Sequence, residues 1–183
     1  MERLKQLIER YVPIGAAEEK EKAQMLAYLE QFPDILTREN TLCHFTASSW
    51  IVNKERTKVL MIYHNIYDSW AWTGGHADGD ANLCAVAIKE AKEETGLANV
   101  TPVKEGIYAL QILTVESHYK RGEYVAPHLH LDCCFLLEAD EAEMLTVCEA
   151  ENSGVAWFPL EDATKVTKEE KMRPIYQKLN DRI

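Results

Sequence analysis

Residues 74–97 decide the fold, and they read GGHADGDANLCAVAIKEAKEETGL. Their second half predicts a helix that begins after Asn82, a good N-cap residue, and ends at Gly96, where helices commonly close with a left-handed residue. The apolar positions of this helix predict the face that it turns toward the core. That face comprises Cys84, Ile88, Ala91 and Thr95.

Three glutamates crowd the C-terminal end of the predicted helix. Glu90, Glu93 and Glu94 lie on one arc of about 100°, where they repel one another next to the negative end of the helix dipole. A divalent cation would relieve this repulsion, because Mg²⁺ prefers carboxylate oxygens and keeps positions open for substrate phosphates. Taken alone, a glutamate-rich face is more often simply solvated.

The loop before the helix favours the metal-binding interpretation. Gly74, Gly75 and Gly79 let the backbone approach an anion or a metal closely, and Asp78 and Asp80 lie beside them.

The whole segment resembles the Nudix box, whose pattern is G, five residues, E, seven residues, R-E-U-x-E-E-x-G-U, with U aliphatic. By chance such a set of matches arises about once in a million starts. Two positions depart from the pattern: Ala81 stands where the family has its first glutamate, and Lys89 replaces the arginine. The matching positions are Gly75, Glu90, Glu93, Glu94, Gly96 and Leu97.

Further segments resemble those around the box in bacterial Nudix proteins: HFTAS, WAWTGGHADGD, HLHLD and VAWFPLED. The resemblance implies an α/β fold, namely the Nudix α/β/α sandwich with a mixed β-sheet. Helical spacing over residues 1–36 predicts an N-terminal helical arm, which packs on the main domain or serves in a homodimer. Residues 37–183 then form the Nudix hydrolase domain.

Strand patterns within that domain predict a hairpin from LCHFTASSWIVN and TKVLMIYHN, and later strands in KEGIYALQILTV, HLHLDCCFLLEA and VAWFPL. A Gly-rich loop precedes the box helix, and a polar loop, SHYKRGEYVAP, separates two of the strands. TKEEKMRPIYQKL predicts a C-terminal helix with Pro174 at a kink or in its first turn.

The resemblance implies a Mg²⁺-dependent hydrolase, with Mn²⁺ as an alternative ion, that cleaves a nucleoside diphosphate linked to another moiety. Glu90, Glu93 and Glu94 would hold the metal with help from the Gly74 carbonyl, and Lys89 would take the orienting role of the family's arginine. Lysine keeps that charge but loses the two-pronged geometry. Glu90 is the first choice as general base, and the alternatives are Glu116, Asp132, Glu149 and Glu151.

Substrate contacts are expected from residues near the box and on the HLHLD strand. His128, His130 and Asp132 share one strand face, which suits either a second, zinc-type metal site or a polar cleft lining, and we favour the lining. Aromatic residues near the box could stack on a base or belong to the core. Lys120 and Arg121 could steer phosphates or only aid solubility. The expected substrate-binding residues are Trp72, Gly75, His76, Asp78, His130 and Asp132.

Composition limits the class of partner. The net charge of −10, from 20 basic and 30 acidic residues, disfavours nucleic-acid binding. It is compatible with a small anionic ligand that binds through a metal ion. Five cysteines without CxxC spacing indicate free thiols in the cytoplasm. Neither a secretory signal nor a membrane span is expected. The main rival is a non-hydrolytic nucleotide-binding or regulatory module with the same fold; a diphosphate isomerase and an RNA end-processing enzyme are weaker alternatives.

Overall fold

The computed structural model describes residues 1–120 and 122–183, so the expectation for Arg121 lies outside the described residues. The chain forms two compact units. The first consists of Met1–Ser48, Gly75–Val86 and Gly106–Cys134, and the second of Ser49–Gly74, Ala87–Glu105 and Phe135–Ile183. No helix in the described part of the chain is long and apolar enough to cross a bilayer.

The described elements combine five α-helices and ten strands in an α/β fold that agrees with the Nudix architecture. The helices are α1 (Glu2–Arg10), α2 (Gly15–Gln31), α3 (Leu83–Thr95), α4 (Ala163–Val166) and α5 (Arg173–Asn180). The strands are β1 (Cys43–Val52), β2 (Lys58–His64), β3 (Ser69–Ala71), β4 (Thr73–His76), β5 (Thr101–Pro102), β6 (Ala109–Val115), β7 (His118–Lys120), β8 (Glu123–Val125), β9 (His128–Glu138) and β10 (Asn152–Pro159).

Eight strands form one mixed sheet with the order β10-β2-β1-β9-β5, in which β3 pairs with β2, β4 with β1 and β6 with β9. The predicted hairpin is confirmed, since β1 and β2 are antiparallel with Ile51 opposite Leu60. β6 runs antiparallel to β9 and places Gln111 opposite Asp132. The two longest strands supply much of the core: β1 is buried along its whole length, and β9 is buried from Leu131 to Leu137.

In the first unit, α1 and α2 bury the apolar residues Leu4, Ile8 and Met25. Buried Glu18 helps to hold the junction between the helices, because it accepts hydrogen bonds from the Tyr11 hydroxyl at 2.6 Å and the Ile14 amide at 2.8 Å. These helices confirm the helical character predicted for the N-terminal stretch. The boundary predicted at residue 36, and a role in dimerisation, stay predictions.

In the second unit, an aromatic core joins the C-terminal helix to the sheet. Trp50 and Tyr176 are fully buried and stacked, with ring centroids 5.2 Å apart. Pro174 lies in the first turn of α5, which is one of the two predicted alternatives. Proline is well tolerated there because the first turn leaves its N–H groups unpaired in any case.

Three sequence predictions need correction. The predicted polar loop contains the hairpin of β7 and β8, in which His118 pairs with Val125. The predicted Gly-rich loop begins with a strand, β4. The core face of α3 is also shifted: Ala91 and Thr95 are buried as predicted, but Cys84 and Ile88 are only half-buried. The residues that join Ala91 and Thr95 in the buried face are Leu83, Val86, Ala87 and Glu94.

Candidate active site

The site is built on α3, whose two ends form as the sequence predicts. The Asn82 side chain accepts a hydrogen bond from the Ala85 amide at 3.4 Å and caps the first turn. Gly96 ends the helix with φ +76°, and the neighbouring Thr146 amide donates to the Thr95 carbonyl at 2.8 Å. The backbone is therefore fixed on both sides of the three glutamates.

Glu94 is the unusual member of the three, because its side chain lies within the buried face of the helix and is only 3% exposed. Its carboxylate accepts a hydrogen bond from the Gly74 amide at 2.9 Å. Burial raises the pKa of Glu94 to about 9, against an ordinary value of 4.5, and the hydrogen bond from Gly74 opposes this shift. A buried carboxyl of this kind is a frequent mark of a functional site.

Glu90 and Glu93 extend the acidic group toward solvent. Glu90 is half-buried and Glu93 is exposed. Burial raises the pKa of Glu90, and the charge of Glu93 adds to the rise. The ammonium of Lys89 lies 3.5 Å from the Glu90 carboxylate and 3.0 Å from that of Glu93, so it pairs with both. The role in orienting glutamates that the family pattern implies for Lys89 stays a prediction.

Glu151, just before β10, adds a fourth carboxylate, and Asn152, the first residue of β10, adds an anchor. After burial, the charge of Glu151 contributes to the raised pKa of both Glu90 and Glu94. Asn152 is fully buried, and its side-chain amide donates to the Glu94 backbone carbonyl at 2.9 Å. Sequence reasoning named Glu151 only as one of four alternative bases and missed Asn152, because a residue at the start of a strand gives no sequence signal of a contact with a helix end.

The donor set fits a hard divalent cation. Glu90, Glu93, Glu94 and Glu151 supply several carboxylate oxygens. Burial is the main cause of the raised pKa values of Glu90 and Glu94, and the charges of the neighbouring carboxylates add to it. Mg²⁺ and Mn²⁺ take oxygen ligands of this kind. The structure shows the Gly74 amide bonded to Glu94, while a ligand role for the Gly74 carbonyl stays a prediction.

Several expected substrate-binding residues have clear structural partners. Half-buried Trp72 meets the Tyr176 ring edge-on, with centroids 5.6 Å apart. Exposed Asp78 forms a two-pronged ion pair with Arg38, with one contact at 2.8 Å. Gly75 lies half-buried in β4. For Trp72, Gly75 and Asp78, contact with a substrate stays a prediction.

Asp132 is buried and surrounded by hydrogen-bond donors. The Thr46 and Ser48 hydroxyls donate to its carboxylate at 3.0 and 2.6 Å, and the Gln111 amide donates at 2.5 Å. These contacts join β9 to its neighbours β1 and β6, which favours a structural role. A substrate or general-base role for Asp132 stays a prediction.

His76 and His130 lie in a cluster of imidazole rings together with His44 and His128. We call these four residues the histidine cluster. Sequence reasoning placed His128 and His130 on one strand face but missed His44, which lies more than 80 residues earlier in the chain. The polar cleft lining was favoured over a second metal site because no further ligand was apparent from the strand alone.

These features define a protein with a carboxylate-rich site on the end of a helix. A sequence profile described as the NUDIX domain matches residues 44–179, which is most of the chain. The chain therefore belongs to the Nudix family, and with it to the pyrophosphohydrolases, enzymes that act on phosphoric anhydrides. No curated protein matches the sequence at a significant level.

Solved structures support the same fold. A hydrolase of the NUDIX family from Clostridium perfringens is 24% identical with a TM-score of 0.54, over 75% of this chain and 96% of that one. The E. coli dihydroneopterin triphosphate pyrophosphohydrolase is 16% identical with a TM-score of 0.57, over 76% and 96%. A C. elegans Ap4A hydrolase is 19% identical with a TM-score of 0.52, over 75% and 95%. At these identities the likeness concerns the fold alone.

Proposed function

We propose that this protein is a Mg²⁺-dependent hydrolase that cleaves the diphosphate linkage of a small, nucleotide-like molecule, a nucleoside diphosphate linked to another group. The buried Glu94 carboxyl, held against the Gly74 amide, is the observation that carries the proposal. Burial of this carboxyl costs stability. A divalent cation that binds its ionised form would explain why the carboxyl is buried. Mn²⁺ is the alternative ion, because it shares the preference for oxygen ligands.

Glu90, Glu93 and Glu94 would hold the cation on the end of α3. When bound, the cation would neutralise the diphosphate oxygens and lower the pKa of a coordinated water. The Gly74 amide fixes the orientation of the Glu94 carboxylate, and Lys89 restrains Glu90 and Glu93 through its two ion pairs. A preset arrangement of this kind avoids reorganising the ligands during the reaction.

Glu90 is our proposed general base. It is half-buried with a raised pKa, which brings its proton affinity closer to that needed at neutral pH. In the proposed step Glu90 takes a proton from the attacking water, whose oxygen bonds to one phosphorus while the bond from that phosphorus to the bridging oxygen breaks. Glu151 is the alternative base, since its charge acts on both Glu90 and Glu94.

Of the substrate contacts expected from the sequence, Trp72 lies in the unit that carries the glutamates of α3, and we keep it as a proposed contact. Gly75, His76, Asp78, His130 and Asp132 stay expectations from the sequence. The net charge of −10 supports a small anionic substrate over a nucleic acid, because a polyanion would meet an acidic surface. A cytoplasmic location is proposed from the same composition, including the five cysteines, none of which forms a disulfide among the described residues.

The function is tested with a panel of ADP-ribose, nucleotide sugars, dinucleoside polyphosphates and nucleoside triphosphates, each incubated with and without Mg²⁺. We expect phosphate-containing products from at least one compound in the presence of Mg²⁺ only. Glu94→Gln should reduce kcat/KM by at least a hundredfold, about 2.7 kcal/mol. The matched control is Glu105→Gln, which changes an exposed glutamate and should keep full activity.

A non-hydrolytic binding module is the second candidate, motivated by Ala81 and Lys89 at two positions of the family pattern. It predicts Mg²⁺-dependent binding of a diphosphate compound, measured by calorimetry, without turnover of any compound in the panel. Turnover that is equal in the wild type and in Glu94→Gln would instead contradict the proposed ligand role of Glu94.

A further inference from the structure

We propose that His44, His76 and His130 form a second metal site, which takes a zinc-class transition-metal dication and is completed by His128. All of these residues belong to the first compact unit, where His44 lies on β1, His76 at the end of β4, and His128 and His130 on β9. The site is independent of the glutamates on α3 in its residues and in its ligand chemistry.

The rings of His44, His76 and His130 lie close together. One ligand atom from each of these three residues lies within 4.8 Å of the others. The ring centroids are 5.1 Å apart for His44 and His76, 5.0 Å for His44 and His130, and 4.9 Å for His76 and His130. For a tetrahedral zinc with nitrogens at about 2.0–2.1 Å, centroids would be separated by about 5.2 Å. Small ring rotations would therefore bring the nitrogens to a common ion.

His128 is the proposed fourth ligand. Its Nε2 lies 3.2 Å from Nε2 of His130, and two nitrogens bound to one tetrahedral zinc are about 3.3 Å apart. Its ring centroid is 5.0 Å from that of His130 and 4.9 Å from that of His44. A backbone carbonyl, that of Ala126, lies 2.9 Å from its Nδ1. Donation of the Nδ1 proton to this carbonyl leaves Nε2 as the ligand atom.

His44, like His128, has a backbone carbonyl beside its Nδ1, and its proposed ligand atom lacks a hydrogen-bond partner among the described residues. Its Nδ1 lies 3.0 Å from the Asn40 carbonyl, an arrangement in which metal-binding histidines commonly donate their other N–H. The residue is 4% exposed, and its Nε2 is buried without a hydrogen-bond partner among the described residues. An unsatisfied buried polar atom destabilises the folded state, and a bound dication would remove that penalty.

The ligand chemistry separates the two metal sites. Imidazole nitrogens suit Zn²⁺, Co²⁺, Ni²⁺ and Cu²⁺, whereas Mg²⁺ prefers the oxygens that the glutamates on α3 supply. The exposed pair of Arg38 and Asp78 lies close enough to influence His44, and its two charges offset each other. The histidine cluster should therefore select a transition metal in the presence of excess Mg²⁺.

The test uses the full chain freed of metal with a chelator and then titrated with Co²⁺ in the presence of excess Mg²⁺. We expect uptake of one Co²⁺ per chain, with the intense visible absorption of a four-coordinate ion, and displacement by one equivalent of Zn²⁺ measured by calorimetry. His44→Gln and His76→Gln should each weaken Co²⁺ binding at least tenfold. His64→Gln changes a histidine outside the cluster and should bind as the wild type does.

Two outcomes would overturn the proposal. Absence of Co²⁺ and Zn²⁺ uptake by the wild type would overturn it, and so would wild-type affinity in His76→Gln, whose half-buried position makes that variant the safer one to fold. Circular dichroism checks the folding of both variants. Glu94→Gln should keep the Co²⁺ spectrum, so the result for this site is separate from any failure of the proposed hydrolytic function.

Discussion

Replacing Glu94 with glutamine should stabilise the metal-free protein at neutral pH while it removes the proposed metal ligand. Glutamine keeps the shape of the side chain and still offers an oxygen to the Gly74 amide, which now lies 2.9 Å from the carboxylate. It also removes a carboxyl that folding buries to 3% exposure. Without a metal, the ionised form of that carboxyl destabilises the folded protein.

The sign of the effect follows from the direction of the pKa shift. Folding raises the pKa of Glu94 from 4.5 to about 9, so the folded state holds this proton more tightly than the unfolded state does. The stability contributed by the neutral carboxyl is fully present below about pH 4.5 and is lost as the pH rises toward about 9. Each pH unit within that window corresponds to about 1.36 kcal/mol, so the loss at pH 7 is on the order of 3 kcal/mol.

The assay is urea unfolding at several values between pH 5 and pH 9 with a chelator present. Glu94→Gln should gain stability over the wild type as the pH rises, by about 3 kcal/mol at pH 7. Glu105→Gln should show no such trend. Mg²⁺ should then stabilise the wild type more than Glu94→Gln. A stability difference that does not change with pH would refute the reasoning that burial of this carboxyl raises its pKa.

The remaining predictions concern the ends of α3 and its lysine. Lys89→Ala should lower kcat/KM about tenfold in Mg²⁺-dependent hydrolysis, because its two ion pairs are lost, whereas Lys89→Arg should keep the activity. Gly96→Ala should cost about 2–4 kcal/mol in urea unfolding, because φ is +76° and the new Cβ would lie 2.7 Å from that of Thr146. Asn152→Ala should cost about 1–3 kcal/mol by removing a buried hydrogen bond to the helix end, measured in the same way.

Controls for these variants exist within the chain. Gly106→Ala has a similar φ of +87° but no atom within 4 Å of the new Cβ, so it should cost only about 1 kcal/mol. Equal losses for the Gly96 and Gly106 variants would contradict the contact with Thr146. Full activity in Lys89→Ala would show that the ion pairs do not orient the glutamates, and an unchanged urea midpoint for Asn152→Ala would show that its hydrogen bond contributes nothing.

Local sequence signals predicted α3 and the β1–β2 hairpin because each carries its own periodicity and end residues. Asn82 and Gly96 mark the helix ends by their side-chain and backbone chemistry, which acts over a few residues. The short strands β3 and β4 gave no comparable signal, since they are only three and four residues long. Pairing with a neighbouring strand decides such segments, and a single sequence does not display that pairing.

The candidate site, too, was predictable from the sequence only where local spacing determines it. The spacing of Glu90, Glu93 and Glu94 placed them on one side of the helix, but hydropathy treats every glutamate as an exposed residue. The burial of Glu94 depends on the tertiary contacts around it, including Gly74 and the anchor from Asn152. The histidine cluster was hidden for a related reason, because its rings come from three strands that are distant in the chain.

The most direct test of the central claim is to measure the amide NMR spectrum of the labelled protein while Mn²⁺ is added, since paramagnetic broadening reports proximity to the ion. If a divalent cation binds among the glutamates of α3, the amide signals of Gly74 and Glu94 should broaden first, and excess Mg²⁺ should restore the lost signals. Sharp signals from Gly74 and Glu94 at saturating Mn²⁺ would contradict the account.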